Sequence, residues 1–410
     1  MAGRGARPVV IVGAGLAGLA CASDLTAAGA SVQVLEAGEG VGGRMRTDRR
    51  AGFLLDRGFQ VFNTSYPQVQ RRLRLRDLQL SPFTPGMLLQ AGARRLRFAD
   101  PTRRPGQIGD LRPGRLAGPA DLAALGLLSA RDMLLPASVI KRRRDVTTLT
   151  ALRRAGISAE LIELMFRPFL AGVFLEDQLE TSSRFFHLVW RSMLRGTLCL
   201  PRRGIQAVPE QLAAGLPPAT IQLETPVSGL TDDGVLLAGG TELAASAVVV
   251  ATGPAAAAAL MPALAVPATR SVTTIYHAAP APPLAEPTLL VDTERQILNT
   301  SVLTEVTPSY SGDRRALVSS SVLGGDAANP EPAVRSRLGT LYQADTSSWE
   351  HLATYAVPGA LPAMVPPHPL SRSCRAGQRR YVCGDHRAAG SVQGALASGA
   401  RAAREVLADA

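Results

Sequence analysis

Residues 9–36, VVIVGAGLAGLACASDLTAAGASVQVLE, decide how this chain folds. Val9–Val12 is a short apolar, β-branched run of the kind that makes a strand buried on both faces. Gly13-Ala14-Gly15-Leu16-Ala17-Gly18 follows, then a small-residue stretch of helical character, with Gly29 where a helix C-cap belongs. A second strand, 31–35, ends at Glu36. The succession of strand, glycine turn, helix, strand and acidic residue predicts a dinucleotide-binding βαβ unit. Gly13 permits the tight turn, Gly15 lets the backbone approach a pyrophosphate, and Gly18 lets helix and strand pack closely. Leu16 and Ala17 open the helix, whose unpaired N–H groups and positive dipole end face the phosphates. Glu36 is placed to accept hydrogen bonds from ribose hydroxyls. Its charge repels a 2′-phosphate, which disfavours NADP at this site. The basic residues ahead of the apolar run imitate a secretory signal. The glycine fingerprint interrupts that run and a second strand follows at once, so the segment reads as mature fold.

Residues 37–47, AGEGVGGRMRT, extend the reading. Ala37 follows the acidic residue, Gly42 and Gly43 let a loop pass close to the nucleotide, and Arg44 adds a cation near its diphosphate. With Glu36, the pattern resembles the E-A-x-x-x-x-G-G-R segment of the amine oxidase, phytoene desaturase and protoporphyrinogen oxidase superfamily of flavoproteins. The resemblance implies FAD as cofactor. Residues 52–62, GFLLDRGFQVF, are similar to that family's crossing from nucleotide to substrate region. Asp56 and Arg57 within them read equally as a solvated turn or as a flavin contact. Residues 381–385, YVCGD, read as a short strand closing on an acid, and residues 391–399, SVQGALASG, open a C-terminal helix. In the family this resembles, Gly384 and Asp385 touch the ribityl and pyrophosphate portion of the flavin. There the helix start at Ser391, Val392 and Gln393 points N–H groups at the N1/C2=O edge, where reduced flavin carries negative charge. Cys383 lies close to that position and reads as a small core residue, so the FAD is expected to be held without a covalent bond.

Two middle segments complete the resemblance. Residues 200–212 look like the family's P-x-G-G-x-x-x-L element, with Arg203 where a first glycine is usual, and Val227 falls where main-chain groups meet the adenine. Residues 247–254, AVVVATGP, form a buried-strand run ending in a turn, Thr252-Gly253, that passes near the dinucleotide. The fold class expected is α/β, a Rossmann-like FAD-binding domain interleaved with an α+β substrate domain. Residues 1–64, 200–270 and 371–410 fall to the first, and 65–199 and 271–370 to the second. A 410-residue chain can bury a core in both. The first insertion reads as largely helical, with apolar periodicity over 121–140 and 147–169. The second holds strand-like runs at 272–277, 288–292 and 316–322 that suit a sheet walling a cavity.

The net charge of +11 raises the question of anionic partners, but Lys141 is the only lysine and the arginine-rich segments carry few interleaved aromatics to stack bases. Nucleic acid is therefore not an expected partner. The same cations combined with apolar helices leave peripheral membrane contact open. No apolar stretch is long enough for a transmembrane helix. The four cysteines show no close-paired metal spacing and, without an export signal, suggest reduced thiols and a cytoplasmic location. The five histidines are scattered, and no metal site is expected.

The reaction expected follows from the flavin: hydride, or its equivalent, leaves a small-molecule substrate for N5, and oxygen or a quinone-like carrier accepts the electrons. No catalytic side chain stands out. Amine oxidases of this superfamily commonly carry a lysine near N5, and the one candidate, Lys141, sits among arginines that look solvent-facing. Residues 386–390, HRAAG, also lack the paired aromatics typical of amine oxidases. Both departures favour a mainly apolar substrate over a small amine. Residues 166–174 and 185–190 resemble the helical substrate region of the desaturase-like relatives. Phe169, Phe174, Trp190, Tyr276 and His277 are the candidates for lining a pocket, with helix core as the alternative reading. An amine or amino-acid oxidase, and a flavin-binding structural or regulatory protein without turnover, are the competing functions.

Overall fold

The computed structural model describes residues 7–100, 103–104, 106, 117–325 and 330–410. Val9–Val12 is buried along its length because it lies inside a six-stranded sheet. The order across that sheet is Ile221–Gln222, Val32–Leu35, Val9–Val12, Ala247–Val250, Arg380–Val382 and Arg375–Gly377. All neighbours are parallel except the last pair, and Val9 stands opposite Val32 on one side and Ala247 on the other. The two-residue period sorts the side chains. Val9 and Ile11 enter the core shared with the helices Leu16–Ala27 and Val392–Asp409. Val10 and Val12 pack with Leu35, Val235 and Val248, where the meander Val227–Thr231, Gly234–Leu237 and Glu242–Ala244 covers the other face. The two helices meet where only small residues fit: a Cβ on Gly399 would fall on the carbonyl oxygen of Ala17 and lie 3.1 Å from Ala20 Cβ.

A second sheet has seven strands, in the order Glu350–Pro362, Thr269–Ala279, Ala316–Leu323, Asn299–Val302, Leu290–Asp292, Gly86–Ala91 and Arg94–Ala99. Ile275 and Val318 pack on Leu338 and Leu341 of the helix Glu331–Tyr342. Tyr276 and Leu317 turn instead toward Phe53, Leu55 and Tyr310. The helices Pro119–Leu134, Ala137–Arg142, Thr148–Arg154, Arg167–Phe174 and Ser183–Arg195 form a further layer around Phe166, Phe186 and Trp190. Among the described residues no helix is long and apolar enough to cross a membrane.

The expected strands are present, lengthened to Thr269–Ala279 and Ala316–Leu323 and shortened to Leu290–Asp292. The reading of 65–199 as largely helical misses the hairpin Gly86–Ala91 with Arg94–Ala99. Its outer strand carries Arg94, Arg95 and Arg97, charges that an edge strand tolerates and that hide it from a hydrophobic pattern. The longest strand, Glu350–Pro362, lies at the opposite edge, where Pro358 costs no ladder hydrogen bond. The apolar run 121–140 is split at Leu135 and Pro136 into two helices.

Asp56 ties the nucleotide side of the molecule to the second sheet. It ends the strand Phe53–Asp56 and is 2% exposed, neither a solvated turn nor open to a ligand. Its carboxylate accepts from Thr47 Oγ1 (2.6 Å), Ile205 N (3.0 Å) and Tyr310 Oη (3.0 Å), and its carbonyl accepts from Tyr276 Oη (2.8 Å). Arg57 points elsewhere, forming a two-point pair with Asp48, which also accepts from Tyr355 Oη (2.9 Å).

Burial pushes the Asp56 carboxyl up to about 6, against the pull of its hydrogen bonds. A carboxyl whose pKa is higher in the folded than in the unfolded chain holds its proton more tightly when folded, so stability falls as pH rises from about 4 to above 6. The loss amounts to about 3 kcal/mol for a shift of about two units. Asp56→Asn cannot ionise. Its stability relative to wild type is therefore expected to improve by about that amount between pH ~4 and pH ~7 in urea unfolding. A difference independent of pH would contradict this account of the buried carboxyl.

Candidate functional site

Four parallel strands deliver their carboxyl ends to one edge of the first sheet. Val12 leads to Gly13, Leu35 to Glu36, Val250 to Ala251-Thr252-Gly253, and Val382 to Cys383-Gly384-Asp385. The loops are stitched together: Gly13 N donates to Leu35 O (2.8 Å), Ala251 N to Val12 O (2.8 Å) and Cys383 N to Val250 O (2.9 Å). In open parallel sheets such an edge is where ligands bind.

The glycine fingerprint occupies the centre. Gly13 has φ +106° and passes so near Ala251 that a Cβ would lie 3.1 Å from its carbonyl oxygen. A Cβ on Gly18 would fall on the carbonyl oxygen of Gly13. Gly15 is different: a Cβ there would meet no atom within 4 Å. It is also the N-cap of the helix Leu16–Ala27 and supplies no side-chain hydrogen bond, so that helix begins uncapped beside open space. The 37–47 loop runs alongside, with Gly42 N donating to Ala14 O (2.9 Å) and Gly43 beyond it. Gly42 itself has φ +121°.

Glu36 stands half-buried at one end of this cleft. Its carboxylate accepts from Ala14 N (2.7 Å) and Gly38 N (2.9 Å), which fixes its oxygens in place. Ala37 beside it is exposed. Thr225 N donates to Glu36 O (2.8 Å), bringing the strand Val227–Thr231, and Val227 at its start, to the same end.

At the other end, Arg44 Nη2 donates to Asp385 Oδ2 (2.6 Å) and Arg44 Nη1 to Ala360 O (2.6 Å). One arginine thus ties the glycine loop to the Gly384-Asp385 turn and to the edge strand of the second sheet. Ser391 caps the C-terminal helix by accepting from Gly394 N (3.1 Å). Gln393 Oε1 accepts from Gln68 N (2.9 Å), which turns that side chain toward the helix Pro67–Arg72, and the main-chain N–H groups of Val392 and Gln393 stand at this helix start. His386 was not singled out by the sequence. It is 1% exposed, neither ring nitrogen has a partner among the described residues, and burial lowers its pKa to about 4, which keeps it neutral.

The uncapped helix, the open space at Gly15, the fixed carboxylate of Glu36 and the unpartnered imidazole of His386 all fit a dinucleotide lying along this edge. Cys383, by contrast, is fully buried in the core with Cys21 and Cys374, and burial pushes its thiol well above the usual range.

The five candidate pocket residues do not come together. Phe174 stacks on Phe185 (5.6 Å between centroids), and Trp190 on Phe166 (5.6 Å), inside the helical core, with Phe169 packed against the same cluster. Tyr276 is committed to Asp56. His277, the next residue on the strand, points to the opposite face and pairs with Glu331 (2.9 Å). Sequence reasoning instead missed Ala360, whose carbonyl holds Arg44 and which, with Leu175 and Val357, packs against the buried cluster of Ala171, Val272 and Leu298. Small aliphatic residues on an edge strand carry no signal of their own. Lys141 is exposed at the end of the helix Ala137–Arg142. Among the described residues no His, Cys, Asp or Glu cluster could hold a metal ion.

Parts of the chain resemble known proteins in sequence, and the whole resembles a solved structure in fold. An L-amino-acid oxidase of Crotalus adamanteus is 45% identical over 76 residues, 18% of this chain and 15% of that protein. Coproporphyrinogen III oxidase of Propionibacterium freudenreichii is 38% identical over 77 residues, again 18% of this chain and 15% of that protein. The chain thus matches only a small part of each of these two relatives. Cyclohexylamine oxidase from Brevibacterium oxydans shares the fold throughout, with a TM-score of 0.73 at 19% identity over 98% of this chain and 99% of its own. The model of the flavin containing amine oxidoreductase family matches residues 16–407, and the chain belongs to that family.

Proposed function

We propose that this enzyme uses non-covalently bound FAD to remove hydride from a mainly apolar, cyclic or isoprenoid-like small molecule. Bound FAD supplies the hydride acceptor. The chain supplies position and charge: the open helix start at Gly15, Leu16 and Ala17 with Arg44 for the diphosphate, and Glu36 for the ribose. Val227, Thr252 and Gly253 stand by the adenosine half, and Gly384 and Asp385 by the ribityl chain. The amides of Val392 and Gln393, at the positive end of an 18-residue helix, favour the negative charge of a reduced flavin. In the same reading, 1–64, 200–270 and 371–410 form the cofactor domain, while 65–199 and 271–370 form the substrate domain. The electron acceptor is oxygen or a quinone-like carrier.

The substrate class is supported by the state of the carboxylates beside Arg44 and the edge strand; the aliphatic cluster of Ala171, Val272 and Leu298, on which Ala360 packs, is closed core. A cationic amine needs a free carboxylate or an aromatic cage. Among the described residues, the carboxylates on the loops and strands that meet here are engaged: Asp385 by Arg44, Asp48 by Arg57, and Asp56 by its buried partners. A second reading, oxidation of an amine or amino acid, is favoured by the stretch shared with the Crotalus L-amino-acid oxidase.

Cofactor binding separates two glycines. Gly15→Leu points its side chain into open space, so it is expected to leave the melting temperature of the cofactor-free protein unchanged while abolishing FAD retention. Gly18→Ala drives a methyl group into the Gly13 carbonyl and should destabilise the fold itself by about 1–3 kcal/mol. Glu36→Ala removes charge-assisted hydrogen bonds and should weaken FAD binding by about 1.5–3 kcal/mol in a direct titration. Equal FAD affinity in wild type and Glu36→Ala would remove the ribose contact from the proposal.

For the substrate, anaerobic bleaching of the flavin absorbance is the deciding measurement. Isoprenoid, porphyrinogen-like and alicyclic compounds are expected to bleach it faster than primary or secondary amines and amino acids. The reverse order, with release of ammonia, would establish the second reading in place of the first.

A further inference from the structure

The helix Pro119–Leu134 is apolar on two sides. Leu125, Leu128 and Asp132 face inward against the helix Ser183–Arg195, where Trp190 Nε1 donates to Ser129 Oγ (3.1 Å) and His187 Nδ1 meets Asp132 Oδ2 at 2.6 Å. The opposite side carries Ala123, Leu127, Ala130 and Leu134, spaced so that they align as one stripe. Leu127 is 73% exposed and Leu134 75%, and Val139, 42% exposed, follows on the helix Ala137–Arg142. Nothing in the described fold buries these side chains, and apolar groups that project together mark an interaction surface.

Cations cluster on the segments that follow the stripe in the chain. Lys141, Arg142, Arg143, Arg144, Arg153 and Arg154 are exposed, and none has an ion-pair partner among the described residues. Three carboxylates of the same layer are engaged: Asp121 accepts from Ser158, Asp132 from Arg131, and Asp145 from Arg184 and Ser182, while Glu160 is exposed. Arg131, Arg143, Arg144, Arg154 and Arg184 line a cleft of about 140 Å³, and Arg184 Nε is buried without an acceptor.

We infer that this face docks on a bilayer containing anionic lipid, with Leu127, Leu134 and Val139 entering the acyl boundary and the clustered arginines holding lipid phosphates. Charge distinguishes this occupant from the others. A second copy of the chain would meet the face in an isologous contact, setting six uncompensated cations against the same six. A neutral bilayer would accept the leucines and leave the cations unpaired. An acidic protein would need a groove matched to side chains that stand clear of the surface, whereas fluid lipid needs none. The inference is independent of which substrate is oxidised.

The test is sedimentation of the purified flavoprotein with vesicles of phosphatidylcholine alone or mixed with phosphatidylglycerol, at low and high salt. Binding is expected only to the mixed vesicles, and high salt should weaken it. Removing three cations in Arg142→Ala/Arg143→Ala/Arg144→Ala should lower partitioning about a hundredfold, at about fivefold per cation. Leu127→Ser/Leu134→Ser should lower it at least tenfold at unchanged charge. Both variants alter exposed side chains, so their flavin absorbance and melting temperature should match wild type. Failure to bind mixed vesicles, equal binding to both vesicle types, or unchanged partitioning of either variant would overturn the inference. So would sedimentation velocity showing a dimer that Leu127→Ser/Leu134→Ser converts to monomer.

Discussion

Two close approaches of backbone to backbone, at distances no side chain allows, set the carboxyl edge of the first sheet. The helix Leu16–Ala27 lies on the turn that precedes it because Gly18 presents only hydrogen to the Gly13 carbonyl, and the C-terminal helix lies on the first because Gly399 does the same at Ala17. These contacts hold the starts of both helices close to the carboxyl edge of one sheet. The positive ends of two helix dipoles and the main-chain donors of their first turns are thereby set along a single edge. A methyl group at either glycine would push the elements apart, and the loss would be of geometry at the edge as much as of packing.

The second sheet is joined to this edge by two polar links with different characters. Asp56 is buried and fully engaged, with partners from the Thr47 strand, the Ile205 turn and the tyrosines Tyr276 and Tyr310. Such a network positions its members rigidly and leaves little freedom for ligand chemistry. Arg44 is partly exposed and reaches both Asp385 and the Ala360 carbonyl. It can hold the edge strand of the second sheet and still present charge to a phosphate, because a guanidinium has five donors in a planar fork. The aliphatic cluster on which Ala360 packs is closed core, as is the aromatic cluster of the helical layer.

The helical layer also separates two uses of arginine. Arg131, Arg184 and Arg191 turn inward and satisfy carboxylates and helix carbonyls, holding the layer together. Arg143, Arg144 and Arg154 turn outward and have no such partners among the described residues. The basic balance of the chain is thus not one property but two, and only the outward set bears on what the protein touches.

The sequence by itself determined the turns, loops and helix starts along the carboxyl edge of the first sheet. The fingerprint 13–18, Glu36, the Gly42-Gly43-Arg44 loop, the Gly384-Asp385 turn and the start of the last helix all depend on backbone conformation and on spacing within a few residues, which a linear pattern records directly. What only the tertiary structure decided was which side chains meet. Arg44 finds partners 316 and 341 residues away, the Gln393 side chain is taken by a distant helix, and Tyr276 and His277, adjacent in sequence, are sent to opposite faces of one sheet. Phe169, Phe174 and Trp190 became core because the helices around them close on one another. Aromatic composition cannot distinguish a packed cluster from a cavity wall. The difference is whether neighbouring elements fill the space between the rings, and that is a property of packing alone.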